Sequence, residues 1–279
     1  MKILANDGLS EKAIKTLEGA GFEVLTTKVA QNQLANFINE EHVEILLVRS
    51  ATQAKRDLID ACPALKLIGR GGVGMDNIDV TYAQEKGIKV INTPNASSHS
   101  VAELTFAHLF SGVRFLYDAN RNMPLEGDTR FNELKKDYAH GHELKGKTLG
   151  IIGLGRIGRA VATIALGLGM KVIAYDPEQQ EATITLSFFD GRSLDFVIKT
   201  ISKKEVLEEA DFITLHIPAQ KEAVIGEKEF QQMKDGVGII NVARGGVIDE
   251  EALLHALEHE KVSFAGLDVF EGEPTPSIR

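Results

Sequence analysis

Three spaced glycines constrain the fold of this chain more than any other feature. Gly153, Gly155 and Gly158 follow an apolar run at residues 148–152 and precede an amphipathic, helix-like stretch at residues 157–168. In a strand–turn–helix context, the first glycine makes the tight turn, the second lets a pyrophosphate approach the backbone, and the third allows close packing of the helix. Glycines alone occur in many turns, so the flanking pattern carries the inference. The segment predicts a βαβ unit that binds a dinucleotide.

An acidic residue follows the next strand-like run. Asp176 comes directly after Lys171–Tyr175 and lies 18 positions (176 − 158) after Gly158. This is close to the roughly 20-residue offset of the ribose-binding acid in such units. A carboxylate there accepts hydrogen bonds from ribose hydroxyls and repels a 2′-phosphate. A simple turn acid is the alternative interpretation, but the complete unit favours NAD over NADP as the cofactor.

Strand-like and helix-like segments alternate over most of the chain. Five short apolar runs separated by amphipathic stretches lie within the first 95 residues, and a second series begins at Lys147. Such alternation is typical of parallel sheets with helices on both faces. We therefore expect two α/β domains, one over residues 1–97 and the other over residues 98–279.

Some segments interrupt this alternation. The apolar residues within positions 98–120 predict one long helix, and the polar stretch at residues 127–142 predicts an irregular connection. Farther along, Asp190-Gly191 separates two runs of alternating apolar and polar residues, and an Asp-Gly pair favours the positive φ angles of a tight turn. We predict an inserted β-hairpin there, followed by a helix that opens with a capping box at residues 202–205.

The composition argues against several classes of protein. A net charge of −9 does not fit a nucleic-acid-binding surface, which needs a basic stripe. Cys62 is the only cysteine, so an intrachain disulfide is impossible and a reducing compartment fits. No run approaches the roughly 18 apolar residues of a membrane span, and the N-terminus lacks a signal-peptide pattern. We expect a cytoplasmic enzyme with no nucleic-acid partner, no membrane partner and no metal ion.

Two later segments place charged residues after strand-like runs. Arg244 follows the apolar residues of GIINVA at positions 238–243, and the acids of AGLDVFEGEP at positions 265–274 follow the next run. In an open α/β sheet, ligands bind outside the carboxyl ends of the strands. A guanidinium pairs bidentately with a carboxylate, so Arg244 is suited to an anionic substrate.

Together these motifs resemble the D-2-hydroxyacid dehydrogenase family over nearly all of the chain. The resemblance implies a flavodoxin-like substrate domain over residues 1–97 and a Rossmann NAD-binding domain over residues 98–279, both doubly wound parallel-sheet α/β domains. It also implies a homodimer formed through the nucleotide domain. LVRSAT at residues 47–52, GRGGVGMDN at residues 69–77 and NTPN at residues 92–95 most resemble the members that oxidise D-3-phosphoglycerate.

The resemblance further implies roles for individual residues. Arg244 would hold the substrate carboxylate and polarise the C2 oxygen. Glu273, which directly precedes Pro274, would partner the catalytic histidine, with Glu271 as its rival. The residues expected to contact the cofactor are Gly153, Gly155, Arg156, Ile157, Gly158, Asp176, His216, Ile217, Pro218, Val242, Ala243 and Asp268. The residues expected to bind substrate are Arg49, Ser50, Arg70, Val73 and Gly74. The two arginines of this second set would meet a phosphate or act as structural ion-pair partners.

The position of the catalytic histidine departs from the family pattern. In the family it lies in a Pro-His segment after the Glu-Pro motif, whereas the last histidine here is His259. We expect that segment, and the segment completing the substrate domain, to be encoded after Arg279. A naturally inactive form is the alternative. A protein ending at Arg279 is expected to bind NADH but to be nearly inactive, because general-base catalysis contributes roughly 10²–10⁴-fold.

The sequence therefore predicts an NAD-dependent oxidoreductase that acts on a small anionic 2-hydroxy acid. The favoured reaction is oxidation of D-3-phosphoglycerate to 3-phosphohydroxypyruvate by hydride transfer, in phosphorylated serine biosynthesis. A glyoxylate or hydroxypyruvate reductase, or another D-2-hydroxyacid dehydrogenase, is the alternative within the family. From a different class, an NAD-sensing protein similar to the family's corepressors would bind NADH without useful turnover.

Overall fold

The computed structural model describes residues 1–273. The chain divides into two compact units, Met1–Ser97 and Ser98–Arg279. Each unit has its own parallel sheet and its own buried apolar residues. Within residues 1–273, none of the helices is both long and apolar enough to cross a bilayer.

The first unit is built on a five-stranded parallel sheet. Its strands are β1 (Lys2–Ala5), β2 (Glu23–Leu25), β3 (Ile45–Val48), β4 (Leu67–Arg70) and β5 (Lys89–Asn92). Its helices are α1 (Glu11–Gly19), α2 (Leu34–Glu40), α3 (Arg56–Ala61) and α4 (Val80–Glu85). The strand order is β2-β1-β3-β4-β5, with every neighbouring pair parallel. This is the flavodoxin-like order, in which the order of strands reverses between β1 and β3.

Short apolar runs and polar caps explain these elements. Leu4, Leu46 and Ile68 on the three central strands are completely buried, as expected when helices cover both faces of a parallel sheet. The Ser10 hydroxyl accepts the Ala13 N–H at the start of α1. Such N-caps satisfy a backbone donor that the helix itself cannot.

The second unit also contains a five-stranded parallel sheet. The strands of this sheet are β6 (Thr148–Ile152), β7 (Lys171–Tyr175), β10 (Phe212–Leu215), β11 (Val237–Asn241) and β12 (Val262–Leu267), and the unit has two further strands, β8 (Glu181–Ser187) and β9 (Ser193–Lys199). Its helices are α5 (Ser98–Val113), α6 (Leu116–Asp137), α7 (Arg156–Gly167), α8 (Lys203–Glu209), α9 (Glu227–Gln232) and α10 (Glu250–Glu258). The parallel strands lie in the order β12-β11-β10-β6-β7, and β8 pairs with β9 in a separate hairpin. The expectation of two parallel-sheet α/β domains is confirmed.

Separate cores cover the two faces of this second sheet. Leu149 and Ile151 of β6 pack with side chains from α5 and α7, whereas Ile152 packs with side chains from α8, α9 and α10. Successive strand residues point to opposite faces, so a strand covered on both sides must be apolar throughout. The five residues of β6 are accordingly all buried.

The predicted β-hairpin is present at the edge beside β7. β8 and β9 are antiparallel, and Gly191 of the Asp190-Gly191 turn has a φ of +83°. A six-stranded Rossmann sheet carries its third strand at this edge. Among the described residues, the outer edge of β7 forms one parallel bridge, between Ala174 and Thr200. The hairpin therefore stands where the third strand would run.

The prediction of one helix over residues 98–120 is wrong. α5 ends at Val113, and Phe115 adopts a left-handed conformation with a φ of +53° before α6 begins. α6 then extends to Asp137, with a kink at Arg130 (φ −121°, ψ 22°), and so covers much of the stretch at residues 127–142 for which we expect an irregular connection. Arg130 forms ion pairs with two glutamates of the same helix. Pairs at these spacings stabilise a helix that has few apolar residues to bury.

Candidate functional site

The three glycines form a close-packed turn between β6 and α7. Gly153 has a φ of +97°, and a Cβ added there would lie 2.5 Å from the His216 carbonyl oxygen. A Cβ added to Gly158 would overlap the carbonyl oxygen of Gly153. At Gly155 an added Cβ would meet no heavy atom within 4 Å. Packing therefore requires the first and third glycines, whereas the second leaves open space in front of the helix.

The first turn of α7 supplies backbone donors to that open space. Gly155 is the N-cap, and Arg156 and Ile157 are the first two helical residues. The first N–H groups of an α-helix have no acceptor within the helix and carry the positive end of its dipole. This arrangement suits the negatively charged pyrophosphate of a dinucleotide.

The carboxylate of Asp176 lies against the glycine turn. Its Oδ2 accepts the Leu154 N–H at 2.8 Å, and its Oδ1 accepts the Glu178 N–H at 2.9 Å. Asp176 follows directly on β7, which pairs in parallel with β6. The two strand ends thus bring the predicted ribose acid and the predicted phosphate turn together. Oδ2 also accepts the Gln179 side-chain amide at 3.4 Å, whereas Oδ1 keeps a further lone pair for a ribose hydroxyl.

His216 lies behind the glycine turn rather than in solvent. Its Nε2 is 3.0 Å from the Thr214 hydroxyl, whereas its Nδ1 is buried and has no hydrogen-bond partner among the described residues. Burial lowers the pKa of His216 to about 3, because the charged imidazolium would lose its hydration. The ring is therefore neutral at physiological pH. Ile217, the next residue, would contact a Cβ placed on Gly153, and Pro218 follows it.

The turn after β11 holds the backbone of Arg244. The Asn241 side chain accepts the Ala243 N–H at 3.1 Å and donates to the Arg244 carbonyl oxygen at 2.8 Å. Val242 and Ala243 are buried, and the Arg244 side chain is half-buried. Asn241 is not among the residues predicted from the sequence, although a polar residue at the last position of an apolar strand is a signal for such a turn.

The segment after β12 packs against the Arg244 turn. The Asp268 N–H donates to the Asn241 carbonyl oxygen at 3.1 Å, and a Cβ on Gly245 would overlap the Phe270 carbonyl oxygen. The Glu273 carboxylate accepts the Phe270 N–H at 2.7 Å. The predicted arginine and the predicted acids therefore lie on two neighbouring strand ends. Pro274, the remainder of the Glu-Pro motif, lies outside the described residues.

In the first unit, Asp7 fixes the loop that carries Arg49 and Ser50. Its carboxylate accepts the N–H groups of Arg49 and Thr52 at 2.6 and 3.1 Å, and the Thr52 hydroxyl at 2.7 Å. Burial alone would raise the pKa of Asp7, but these hydrogen bonds outweigh burial and lower it. Asn77 donates to the carbonyl oxygens of Arg49 and Thr52. Neither Asp7 nor Asn77 was identified from the sequence.

Arg70 joins this loop to the glycine-rich loop after β4. Its guanidinium donates to the Gly74 carbonyl oxygen and, at 3.3 Å, to the Arg49 carbonyl oxygen. The Asn92 side chain donates to the Val73 carbonyl oxygen at 2.8 Å. The five predicted substrate residues are thus gathered at the carboxyl ends of β3 and β4.

A cavity of about 480 Å³ opens at the carboxyl ends of β1, β2 and β3. Lys28 and Arg49 supply its cationic side chains, and Asp7 supplies a carboxylate. Its other lining residues are Asn6, Gly8, Thr26, Ser50 and Ala51. It lies at the β1/β3 reversal point, where flavodoxin-like sheets bind ligands. Lys28 was missed because it stands in a loop with no recognisable motif.

The geometry of the second unit alone is suited to binding a dinucleotide. The open space at Gly155, the unshared donors of α7 and the fixed Asp176 carboxylate supply what a pyrophosphate and a ribose need. Residues 106–278 match the family described as "D-isomer specific 2-hydroxyacid dehydrogenase, NAD binding domain". The chain belongs to the D-isomer specific 2-hydroxyacid dehydrogenase family. Its second unit is the NAD-binding domain of these NAD-dependent oxidoreductases.

Curated relatives carry two different names. The chain is 44% identical to the hydroxypyruvate reductase of Thermotoga maritima, with 100% of this chain and 86% of that protein covered. It is 42% identical to the D-3-phosphoglycerate dehydrogenase of Methanocaldococcus jannaschii, with 98% of this chain and 50% of that protein covered. The chain thus spans about half the length of that phosphoglycerate dehydrogenase.

A solved structure with bound cofactor supports the same family. The D-lactate dehydrogenase of Aquifex aeolicus, complexed with NAD and lactic acid, is 34% identical and superposes with a TM-score of 0.72. The match covers 98% of this chain and 78% of that one. Within residues 1–273, no group of three or more histidine, cysteine, aspartate or glutamate side chains is arranged to hold a metal ion.

The Asp176 carboxylate generates a prediction about cofactor choice. Asp176→Ala should weaken NADH binding by about 1.5–3 kcal/mol, the contribution of a hydrogen bond to a charged group, and should improve NADPH binding relative to NADH. Fluorescence titration with each nucleotide measures both effects. Asp195→Ala is the charge control: it also removes one carboxylate, but from the exposed strand β9, and it should leave both affinities unchanged. Equal NADH affinity in Asp176→Ala and the unmodified chain would exclude Asp176 from the ribose site.

Proposed function

We propose that this protein oxidises D-3-phosphoglycerate to 3-phosphohydroxypyruvate with NAD, as a step of phosphorylated serine biosynthesis in the cytoplasm. The observation that carries the proposal is the cavity in which Lys28 and Arg49 stand together at a ligand-binding edge of the first sheet. Two cations suit a phosphate better than a neutral hydroxymethyl group. Relatives named D-3-phosphoglycerate dehydrogenase, from archaea to mammals, support the same substrate.

Arg244 is proposed to hold the substrate carboxylate and to polarise the C2 oxygen. A planar guanidinium can donate two parallel N–H bonds to a carboxylate, which fixes the orientation of the substrate as well as its charge. The Asn241 side chain holds the backbone on both sides of Ala243, so the base of the Arg244 side chain is positioned before substrate binds.

Glu273 is proposed to partner the histidine base that the family resemblance implies. Oxidation of an alcohol carbon requires a base for the hydroxyl proton, and bound NAD accepts the hydride. A carboxylate beside an imidazole stabilises the imidazolium that forms when the proton is taken. Asp268, at the end of β12, is proposed to contact the nicotinamide end of the cofactor.

Arg49 and Ser50, with Lys28, are proposed to bind the substrate phosphate. Their loop is held by the Asp7 carboxylate, which fixes the Arg49 and Thr52 N–H groups. The Val73 and Gly74 N–H groups are proposed to meet the substrate carboxylate. Arg70 is proposed to meet the phosphate together with Arg49, and its hydrogen bonds to the Gly74 and Arg49 carbonyl oxygens give it a structural role as well.

Reduction of hydroxypyruvate is the second candidate. The Thermotoga maritima protein of that name is 44% identical, and the match covers 86% of its length. Hydroxypyruvate has the carboxylate and C2 oxygen that Arg244 would bind but has no phosphate. The two candidates therefore differ in what the Lys28–Arg49 cavity must do.

A homodimer formed through the second unit is also proposed. α5 and α6 expose large apolar side chains that their own unit leaves in contact with solvent. These are Phe110, Leu116, Tyr117, Leu125 and Phe131. Clusters of exposed apolar residues mark protein–protein interfaces in soluble proteins.

The role of Arg244 predicts a selective loss of turnover. Arg244→Lys keeps the charge but loses the planar fork, so kcat/KM should fall by roughly 10²-fold or more, while NADH affinity should stay within about twofold. Steady-state kinetics and fluorescence titration with NADH measure the two quantities. A lysine variant that keeps most of its kcat/KM would contradict the assignment.

The phosphate assignment predicts a substrate-dependent effect. Arg49→Gln or Arg70→Gln should raise KM for D-3-phosphoglycerate by about 10- to 100-fold, because one charge-assisted hydrogen bond to the phosphate is lost. The same variants should change KM for unphosphorylated D-glycerate far less. Lys15→Gln on the exposed face of α1 is the charge control. Proportional losses on both substrates would assign the arginine a structural role and favour hydroxypyruvate reduction.

The proposed dimer predicts a change in mass after one surface substitution. Leu125 is 72% exposed on α6, and Leu125→Glu would place a charge in the interface, so the protein should become monomeric in size-exclusion chromatography with light scattering. Leu254→Glu on α10, where the leucine is 46% exposed, should leave the mass unchanged. A Leu125→Glu protein with unchanged mass would place the interface elsewhere.

A further inference from the structure

The side chain of Gln179 lies between two charged residues at the ribose end of the dinucleotide site. Its Oε1 accepts a hydrogen bond from Nη2 of Arg159, which directly follows Gly158 on α7. Its Nε2 is 3.4 Å from Asp176 Oδ2 and 3.4 Å from the Leu154 carbonyl oxygen. Arg159 Nε also donates to that carbonyl oxygen, at 3.2 Å. One amide thus contacts the predicted ribose acid and a nearby guanidinium at once.

The inserted hairpin fixes the position of Gln179. The Thr200 hydroxyl donates to the Gln179 carbonyl oxygen at 2.7 Å, and the Thr200 N–H donates to the Gln180 carbonyl oxygen at 2.9 Å. The Ile201 N–H then donates to the Ala174 carbonyl oxygen on β7. The two ends of the hairpin are therefore closed directly behind Gln179, and the side chain is held toward the glycine turn.

Asp176 and Arg159 carry opposite charges, and the two charges favour different nucleotides. A carboxylate at the end of the second strand binds the ribose hydroxyls of NAD, whereas an arginine near that position accommodates the 2′-phosphate of NADP. A guanidinium also forms strong bidentate hydrogen bonds with phosphate groups. This chain has both groups within one hydrogen-bonded set, so its selectivity depends on which of them the nucleotide meets.

We propose that Gln179 is a further specificity-determining residue, which withholds Arg159 from a 2′-phosphate by accepting its hydrogen bond. Discrimination against NADP then depends on Gln179 as well as on the negative charge of Asp176. The inference rests on the proposed function only in that the second unit binds NAD. It is independent of which hydroxy acid is the substrate.

A set of variants at two positions tests this inference by binding alone. Dissociation constants for NADH and NADPH are measured by fluorescence titration and calorimetry on the unmodified chain, Gln179→Ala, Gln179→Glu, Arg159→Ala and the double alanine variant. The chain contains no tryptophan, so the nucleotide emission is read without protein indole fluorescence. Thermal unfolding checks that each variant is folded, and Gln179→Met replaces Gln179→Ala if the alanine variant is not.

The expected result is a change in the ratio of the two constants. Gln179→Ala should lower Kd(NADPH)/Kd(NADH) by about tenfold, the scale of one charge-assisted hydrogen bond. Removing Arg159 as well should abolish that gain, which a double-mutant cycle measures directly. Gln179→Glu keeps an acceptor for Arg159 and should preserve the ratio or raise it. The gain in NADPH affinity should also shrink as salt screens the phosphate–guanidinium pair.

Three outcomes would overturn the inference. An unchanged ratio in Gln179→Ala, or a parallel weakening of both nucleotides, would assign Gln179 a purely structural role. An equal gain in the double alanine variant would show that Arg159 is not the group withheld. Absence of NADH binding by the folded, unmodified chain would overturn the cofactor assignment together with this inference, whereas the first two outcomes would leave that assignment intact.

Discussion

The approach of Gly158 to the carbonyl oxygen of Gly153 is the constraint on which the cofactor end of the second unit depends. No side-chain atom fits between them, so α7 begins after a turn of only three residues, with its first N–H groups beside the open space at Gly155. The same tight turn presents the Leu154 N–H to Asp176 and the Leu154 carbonyl oxygen to Arg159 and Gln179. The helix N-terminus proposed to meet the phosphates and the Asp176 carboxylate proposed to bind the ribose are thus both tied to this one turn.

Much of the fold could be predicted because the strands of a parallel sheet have a simple sequence pattern. Strands buried on both faces are short apolar runs, and β6 and β7 have the bounds that their runs indicate. The break between α5 and α6 at Phe115 could not be predicted in this way. Left-handed backbone is uncommon at a bulky aromatic residue, and no residue type comparable to glycine indicates it here. α6 was missed for a related reason: its helix is stabilised by ion pairs rather than by an apolar stripe.

The residues of the candidate site also fall into those that the sequence predicts and those that it does not. Groups whose role depends on local sequence, such as the glycines and the acid after β7, could be predicted from spacing. Asp7, Asn77 and Asn241 could not, because each holds a loop through contacts that exist only after strands come together. Gln179 is the clearest case, since its three partners lie on α7, in the glycine turn and after β7.

Hydrogen bonds close the base of the β8–β9 hairpin, so the position of Asp176 does not depend on how long this insertion is. Thr200 and Ile201 return the chain to Gln180 and Ala174, so the two ends of the insertion are held together whatever lies between them. Exposed loop tips tolerate inserted sequence when the flanking backbone is already satisfied. We therefore expect the Asp190-Gly191 tip to accept an inserted tag or reporter domain without displacement of Asp176 or the glycine turn.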